Sequence, residues 1–320
     1  MTSGAPLAIT GGTGFVGQAL LDRVRPTASR LEDERDAYHV RALTRREQEQ
    51  REGVEWVAGS LADESALATL AQGAAALIHI AGLTNTPDPA NFEAANVTGT
   101  ANVVAAAKEA RVKRLVFVSS LAAREPTLSR YGASKAQAEE LVKASGLDWT
   151  IVRPPAVYGP RDTEMFELFR AARLGIVPLP PGGATSIIHV DDLARLLLRL
   201  VGPSSSAAVG TTRHKIFEPD DGREGGWSHK ELAHAIGQSV GRKIIAPHLP
   251  RAALRGAAGI DRLLRGDRAK LTSDRVGYMC HPNWVARFDR QVPEALWSPQ
   301  IGGEAGLAAT VEWYRSAGWL

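Results

Sequence analysis

Cysteine is nearly missing from this 320-residue chain. Cys280 stands alone, so no intramolecular disulfide can form, and a reducing compartment, the cytoplasm, is the expected setting. Between Met279 and His281 it reads as a half-buried free thiol rather than a nucleophile. Long apolar runs are missing too. The most apolar helix expected, Leu193 to Val201, is too short to span a bilayer and carries Arg195 and Arg199. The apolar run Leu7-Ala8-Ile9 comes so early that no signal peptide is expected before it. The formal net charge of +3 comes from dispersed arginines, without Lys/Arg blocks, and calls for neither nucleic acid nor membrane as a partner. His229, His234 and His248 lack the paired spacing of zinc ligands, so no metal site is expected.

What is present is an alternation of short apolar runs with helical stretches up to about Val152, the pattern of a parallel sheet covered on both faces. Beyond Arg153 the composition changes to Pro154-Pro155, Pro178-Leu179-Pro180-Pro181-Gly182-Gly183 and Gly202-Pro203-Ser204-Ser205-Ser206, which mark loops. A chain this long exceeds the usual size of a single core, so two lobes are expected. Residues 25–37 lengthen the connection before the second strand with polar residues and read as a solvated extension.

Thr10-Gly11-Gly12-Thr13-Gly14-Phe15-Val16-Gly17 lies between the run at Leu7 and a helical stretch beginning at Gln18. At such a strand-to-helix turn Gly11 permits the tight turn, Gly14 lets a pyrophosphate approach the backbone, and Gly17 lets the helix pack on the strand. An ordinary glycine turn has the same spacing, but strand, loop and helix together point to a dinucleotide. In Tyr131-Gly132-Ala133-Ser134-Lys135, at the start of a helix running to about Ser145, Tyr131 and Lys135 share one face. A free phenol titrates near pH 10, and a neighbouring ammonium together with a cationic nicotinamide would lower that value. On spacing alone a surface Tyr-Lys pair is an equal reading. The run Leu115-Val116-Phe117-Val118 ends in Ser119-Ser120, which puts the Ser120 hydroxyl at a strand's carboxyl end, where ligands bind in such sheets; a turn or N-cap serine is the plainer account. After the second strand, His39 to Thr44, come Arg45 and Arg46 with no carboxylate before Glu47, a pattern that suits the 2′-phosphate of NADP and also a solvated charge run.

These residues, with His79-Ile80-Ala81-Gly82, Asn96-Val97-Thr98-Gly99-Thr100, Val152-Arg153-Pro154-Pro155-Ala156-Val157-Tyr158-Gly159-Pro160, Ile188-His189-Val190-Asp191-Asp192 and a tail ending Gly318-Trp319-Leu320, resemble the extended short-chain dehydrogenase/reductases, the NAD-dependent epimerase/dehydratase family. The resemblance runs through nearly the whole chain. It implies an α/β fold, a Rossmann-type doubly wound parallel sheet over residues 1–155 with 185–201 returning to it, and a smaller, interwoven substrate lobe over 156–320. It implies Tyr131 as general acid/base, Lys135 on the nicotinamide ribose, and Ser120 on the reacting oxygen. Cofactor contacts would come from the glycine loop, from Arg45 and Arg46, from Ser60 and Leu61, from Ile80, Ala81 and Gly82, from Val118, Tyr131 and Lys135, and from Pro154 and Val157. Asn96 corresponds to a helix asparagine of structural rather than chemical use. The family's two-helix dimer interface would fall on the helices starting near Asn96 and Tyr131, whose apolar faces could equally cover the sheet.

Nucleotide-sugar relatives carry an Arg-Asp-Phe run before His189 and an Asn after the Arg-led strand; this chain has Thr185-Ser186-Ile187 and Pro155-Ala156. Dehydratase relatives place an Asp-Glu pair after the catalytic hydroxyl, where this chain has Leu121-Ala122-Ala123. The expectation is therefore an NADP-dependent reductase or dehydrogenase, NAD being the alternative cofactor, acting on a small to medium, largely apolar carbonyl or alcohol. A sugar-nucleotide epimerase with tightly held NAD and a noncatalytic NADP-binding protein are the other readings. Substrate shape would be set by Leu83 to Pro87, by Arg124-Glu125-Pro126, and by the segment after Tyr158. Ser228 and Glu231 form a capping box. The arginine-rich stretch 251–270 has the pattern of a basic amphipathic helix, which Gly256, Gly259 and Gly266 should weaken into a solvated face or flap.

Overall fold

The computed structural model describes residues 5–24, 39–202 and 207–320; the extension read at 25–37 and most of the loop after Gly202 lie outside them. In chain order the strands are β1 (Leu7–Thr10), β2 (Val40–Thr44), β3 (Val54–Ala58), β4 (Ala76–His79), β5 (Arg114–Val118), β6 (Asp148–Val152), β7 (Ala156–Tyr158), β8 (Ala184–Thr185), β9 (Ile187–His189), β10 (Lys215–Phe217), β11 (Trp227–Ser228) and β12 (Asn283–Trp284). The α-helices are α1 (Phe15–Arg23), α2 (Glu64–Ala71), α3 (Ala90–Phe92), α4 (Gly99–Glu109), α5 (Arg130–Lys143), α6 (Phe166–Arg173), α7 (Val190–Leu200), α8 (Ala207–Gly210), α9 (His229–Ser239), α10 (Arg251–Arg265), α11 (Ser273–Met279) and α12 (Gly303–Ser316).

Seven strands form one sheet in the order β3-β2-β1-β4-β5-β6-β10. Every neighbouring pair is parallel, so all the strands end on one edge. Strands β1, β4 and β5 are buried along their whole length, because helices cover both faces; this is why they read as unbroken apolar runs instead of alternating ones. One face packs Leu20 and Leu21 of α1 and Leu193, Leu196 and Leu197 of α7 around Ile9 and Ile78. The other packs Leu67 and Leu70 of α2, Val103 and Ala107 of α4 and Ala138 and Val142 of α5 around Leu77, Leu115 and Phe117.

A second core forms where α6, α9 and α12 enclose Tyr158, Phe169, Trp227, Leu307 and Tyr314. Beside it β8 sits between β11 and β12 in a three-stranded sheet, and β7 pairs with β9. Ser228 and Glu231 cap α9 reciprocally, Oγ to the Glu231 N–H at 3.1 Å and carboxylate to the Ser228 N–H at 3.0 Å. Helix α10 is continuous across Gly256 and Gly259, and Gly266 ends it with φ +54°. Burial of Leu254 and Ala258 against Val276 of α11 supplies what the glycines subtract. No helix among the described residues is long and apolar enough to cross a membrane.

Candidate active site at the carboxyl edge of the sheet

The chain leaves β1 through Gly11, whose φ of +77° and close approach to the Ala81 backbone admit no side chain: an added Cβ would lie 2.6 Å from the Ala81 nitrogen. Gly17 is tighter still, since its Cβ would stand 2.1 Å from the Gly11 carbonyl oxygen. The first turn of α1 can therefore stack directly on the loop. Gly14 closes the turn by donating to the Gly11 carbonyl at 3.0 Å and caps α1 without a side chain. No acidic residue occupies the first turn, so its N–H groups and the positive end of the helix dipole are available to an anion. The loop fits a dinucleotide pyrophosphate on these grounds. Thr10 faces inward instead, bonded to His79 Nδ1 at 2.6 Å and accepting from the Ala81 N–H at 3.3 Å.

At the end of β2 the Thr44 hydroxyl donates to the Arg46 carbonyl at 2.6 Å and accepts its N–H at 3.2 Å, fixing the turn that exposes Arg45 and Arg46. Arg41 and Arg51 nearby are paired with Glu55 and Asp22, whereas neither Arg45 nor Arg46 has a carboxylate partner among the described residues. After β3, Ser60 Oγ accepts from the Ala62 N–H, and the Leu61 carbonyl accepts from Asn102 at 2.8 Å. After β4, the Ile80 N–H donates to Thr10, and Ala81 and Gly82 follow beside the glycine loop. Pro154 accepts from the Leu121 N–H at 3.2 Å, and Val157 lies opposite Ile188.

Ser120 and Tyr131 approach each other at this edge, and Lys135 follows Tyr131 one turn along α5. Ser129 caps α5 through the Gly132 N–H at 2.9 Å, and Gly132 lets the helix sit on the turn Leu121–Arg124, where a Cβ would be 2.7 Å from the Ala122 carbonyl. The Ser120 hydroxyl stands close enough to the Tyr131 phenol to draw its titration downward. Ser120 also accepts from the Ala122 N–H at 3.2 Å, so one hydroxyl is both cap and phenol neighbour. Lys135 Nζ donates to the Val118 carbonyl at 2.8 Å, stands 4.7 Å above the Phe117 ring, and would lie 3.6 Å from a Cβ on Gly82.

Burial holds the Lys135 ammonium down to about 8, against a partial lift from Glu139. Burial raises the Tyr131 phenol above its ordinary value, and the nearby Ser120 hydroxyl only partly opposes that. The Lys135 ammonium donates to the Val118 carbonyl, and the charged neighbours that act on the phenol are Arg275 and Glu164. His79, sealed between Thr10 and Thr100 (3.0 Å), is pushed down to about 3 by burial and Lys135, and stays neutral. Asn96 lies in a π-helical segment, Glu93–Thr98, rather than at a helix start. It uses its amide on both polar groups of Leu83, at 2.7 and 3.0 Å, and on Ser134 at 2.9 Å, a wholly structural use.

The wall around the phenol comes partly from residues that sequence reading missed. Phe92 and Tyr278 pack at a tilt, 5.8 and 5.9 Å from the Tyr131 ring, with Leu83 beside them. Asp274 of α11 accepts from the Arg130 and Tyr131 N–H groups at 2.5 and 3.2 Å, binding that helix to the start of α5. Gly277 presses against the Leu128 carbonyl, and Arg275 forms an ion pair with Glu164. None of these belongs to a motif, and the spacing of Asp274 and Tyr278 carries no cue. Asn85 bonds the Ala269 and Lys270 carbonyls and Thr272, while Arg124 bonds the Asn283 and Val285 carbonyls. Two of the three segments expected to shape the substrate are thus tied to the later part of the chain.

A family model described as NAD(P)H-binding matches residues 11–201. The ceramide reductase of Caulobacter vibrioides is 36% identical over 324 aligned residues, covering 98% of this chain and 96% of that protein. The 4-hydroxy-2-methyl-3-oxo-4-farnesyl-3,4-dihydroquinoline-1-oxide ketoreductase of Stigmatella aurantiaca is 33% identical over 217 residues, covering 59% of this chain and 62% of its own. The crystal structure of gox2253 shares the fold, with a TM-score of 0.73 at 23% identity and 99% of both chains covered.

Proposed function

Because the chain belongs to the extended short-chain dehydrogenase/reductase family of NAD(P)-dependent oxidoreductases, we propose that it interconverts a small to medium, largely apolar carbonyl compound and its alcohol, with NADP as preferred cofactor. The observation that carries the reading is the approach of the Ser120 hydroxyl to the Tyr131 phenol inside an apolar wall of Phe92, Leu83 and Tyr278. Two relatives named as reductases, one of ceramide and one of a farnesyl-bearing oxo-quinoline, have substrates with long hydrocarbon parts, which such a wall suits.

When bound, the dinucleotide supplies or takes up the hydride. The first turn of α1 and Gly14 would hold its pyrophosphate, and the guanidinium groups of Arg45 and Arg46, which have no carboxylate partner among the described residues, a 2′-phosphate. Lys135 would hold the ribose hydroxyls next to it. A phenol kept protonated by burial is matched to carbonyl reduction: Tyr131 gives its proton to the oxygen as negative charge grows there, while Ser120 donates a second hydrogen bond to the same atom. Phe92 and Tyr278 exclude water from that oxygen and strengthen both bonds.

Tyr131→Phe tests the assignment. NADPH affinity should stay within about twofold, while NADPH oxidation with a panel of long-chain ketones, steroids and aldehydes should fall by roughly 10²- to 10⁴-fold. Turnover near the wild-type rate would overturn the mechanism.

A further inference from the structure

Helix α10 turns its large apolar residues outward. At 100° per residue, Leu254 and Ala258 point inward to Val276, while Ile260, Leu263 and Leu264 fall on the opposite side with Ala253 and Ala257. Their exposures are 61, 85 and 78% for Ile260, Leu263 and Leu264. Arg251, Arg255 and Arg262 line one border of that face, all exposed. Asp261, the helix's one acid, turns inward: it accepts from the Lys270 and Leu271 N–H groups at 2.8 and 2.9 Å and pairs with Arg265 at 3.2 Å. The outer surface is therefore apolar and purely cationic.

That combination decides what covers it. A second copy docking through the same face would bring arginine rows together without a compensating acid, whereas an anionic bilayer takes up leucine side chains and arginines at once. The helix is also tied to the candidate site. Its C-terminal end is strapped through Asp261 to Lys270 and Leu271, those residues lead into α11, and α11 presents Tyr278 to Tyr131. We propose that α10 docks the protein on anionic membrane surfaces, its Ile260, Leu263 and Leu264 face at the headgroup boundary. If the apolar-carbonyl reading holds, a lipid-dissolved substrate then approaches Tyr131 from the membrane side. The expectation of no membrane partner rested on span length and charge blocks, and neither bears on a helix lying in the interface.

The test is co-sedimentation of the full chain with vesicles of phosphatidylglycerol and phosphatidylcholine in equal parts, against phosphatidylcholine alone. The protein should sediment with the anionic vesicles, less so as salt is raised, and the Leu263→Glu/Leu264→Glu variant should lose at least about tenfold in partitioning. Unchanged NADPH binding and thermal midpoint would show that the variant folds. Absence of vesicle binding by the wild type, or equal binding by the variant, would overturn the proposal. A concentration-dependent dimer abolished by the variant, without vesicle binding, would overturn it as well and give the face to a second copy. Sedimentation reads no turnover, so it stands or falls separately from carbonyl reduction.

Discussion

Two helical glycines should respond with opposite sign to the same added methyl group. In α1, a Cβ on Gly17 would meet the Gly11 carbonyl oxygen at 2.1 Å and the Gly12 Cα at 2.7 Å, both backbone atoms that no rotamer change can move. Ordinary contact begins near 3.4 Å, so Gly17→Ala must displace the loop or the first turn of α1 by about 1 Å, an overpacking strain of about 1–3 kcal/mol. The displaced atoms are those proposed to hold the pyrophosphate, so NADPH affinity should fall at least tenfold together with the thermal midpoint. In α10, a Cβ on Gly256 meets nothing within 4 Å. There Gly256→Ala should add about 0.5–1 kcal/mol through reduced unfolded-state freedom and leave NADPH binding alone. Differential scanning calorimetry and NADPH fluorescence titration read both variants. Gly17→Ala with wild-type affinity and midpoint would refute the close-packed loop as the cofactor's seat.

Arg45→Ala should weaken NADPH binding by about 10- to 100-fold, the scale of one charge-assisted hydrogen bond, and leave NADH binding unchanged; equal loss for both cofactors would remove Arg45 from the 2′-phosphate site. Because burial holds Lys135 at about 8, below free lysine, its ammonium is intact at neutral pH and loses its proton above pH 8, so NADPH affinity should decline through that range. In the same window the folded state carries fewer protons than the unfolded one, so this group's cost to stability eases as pH rises from about 8 toward 10.5. A flat affinity profile to pH 10 would contradict the assignment. Glu139 lifts the Lys135 value, so Glu139→Gln should move the alkaline decline to lower pH, besides destabilising the fold by about 1–3 kcal/mol through its half-orphaned partner Arg153.

What could be read from the chain depended on how locally each feature is determined. Strands β1, β4 and β5 are legible because two-sided burial writes itself as an unbroken apolar run. The glycine loop is legible because a positive φ at Gly11 and contact at Gly17 leave one residue type. The meeting of Ser120 with Tyr131 follows from a strand end and a helix start that adjoin through the short turn Leu121–Arg124. Nothing local announces that Tyr278 packs against Tyr131 or that Asp274 occupies the start of α5, since the partners are far apart in sequence. The phenol's surroundings are hidden for a related reason. The four-residue spacing to Lys135 is visible in sequence, but the Val118 carbonyl that takes the ammonium and the burial that raises the phenol are tertiary facts. In α10 glycine propensity was overridden by packing of Leu254 and Ala258, a reminder that propensity is a weak prior against burial.

The two hydroxyls at the site are held by a chain of charges that sequence order conceals. Ser119, next to Ser120, donates to Glu139 at 2.5 Å; Glu139 binds Arg153 at 2.6 and 2.8 Å; Arg153 reaches Glu218 at 3.5 Å; and Glu218 binds Arg124 at 3.1 Å. Both carboxylates and both guanidinium groups are largely out of water, and the signs alternate, so each charge is desolvated only beside its opposites. Such a chain adds little net stability over apolar packing, yet it tolerates few alternative geometries, because any shift strands a buried charge. It runs from α5, which carries Tyr131 and Lys135, through the end of β6 to the turn that begins at Ser120. It continues through Arg124 to the carbonyls of Asn283 and Val285. Asp274 closes the other side by binding the first N–H groups of α5. The Ser120–Tyr131 distance is thus fixed through α5 and its neighbours, and the later part of the chain takes part in fixing it, which is the preorganisation that the proposed proton transfer would require.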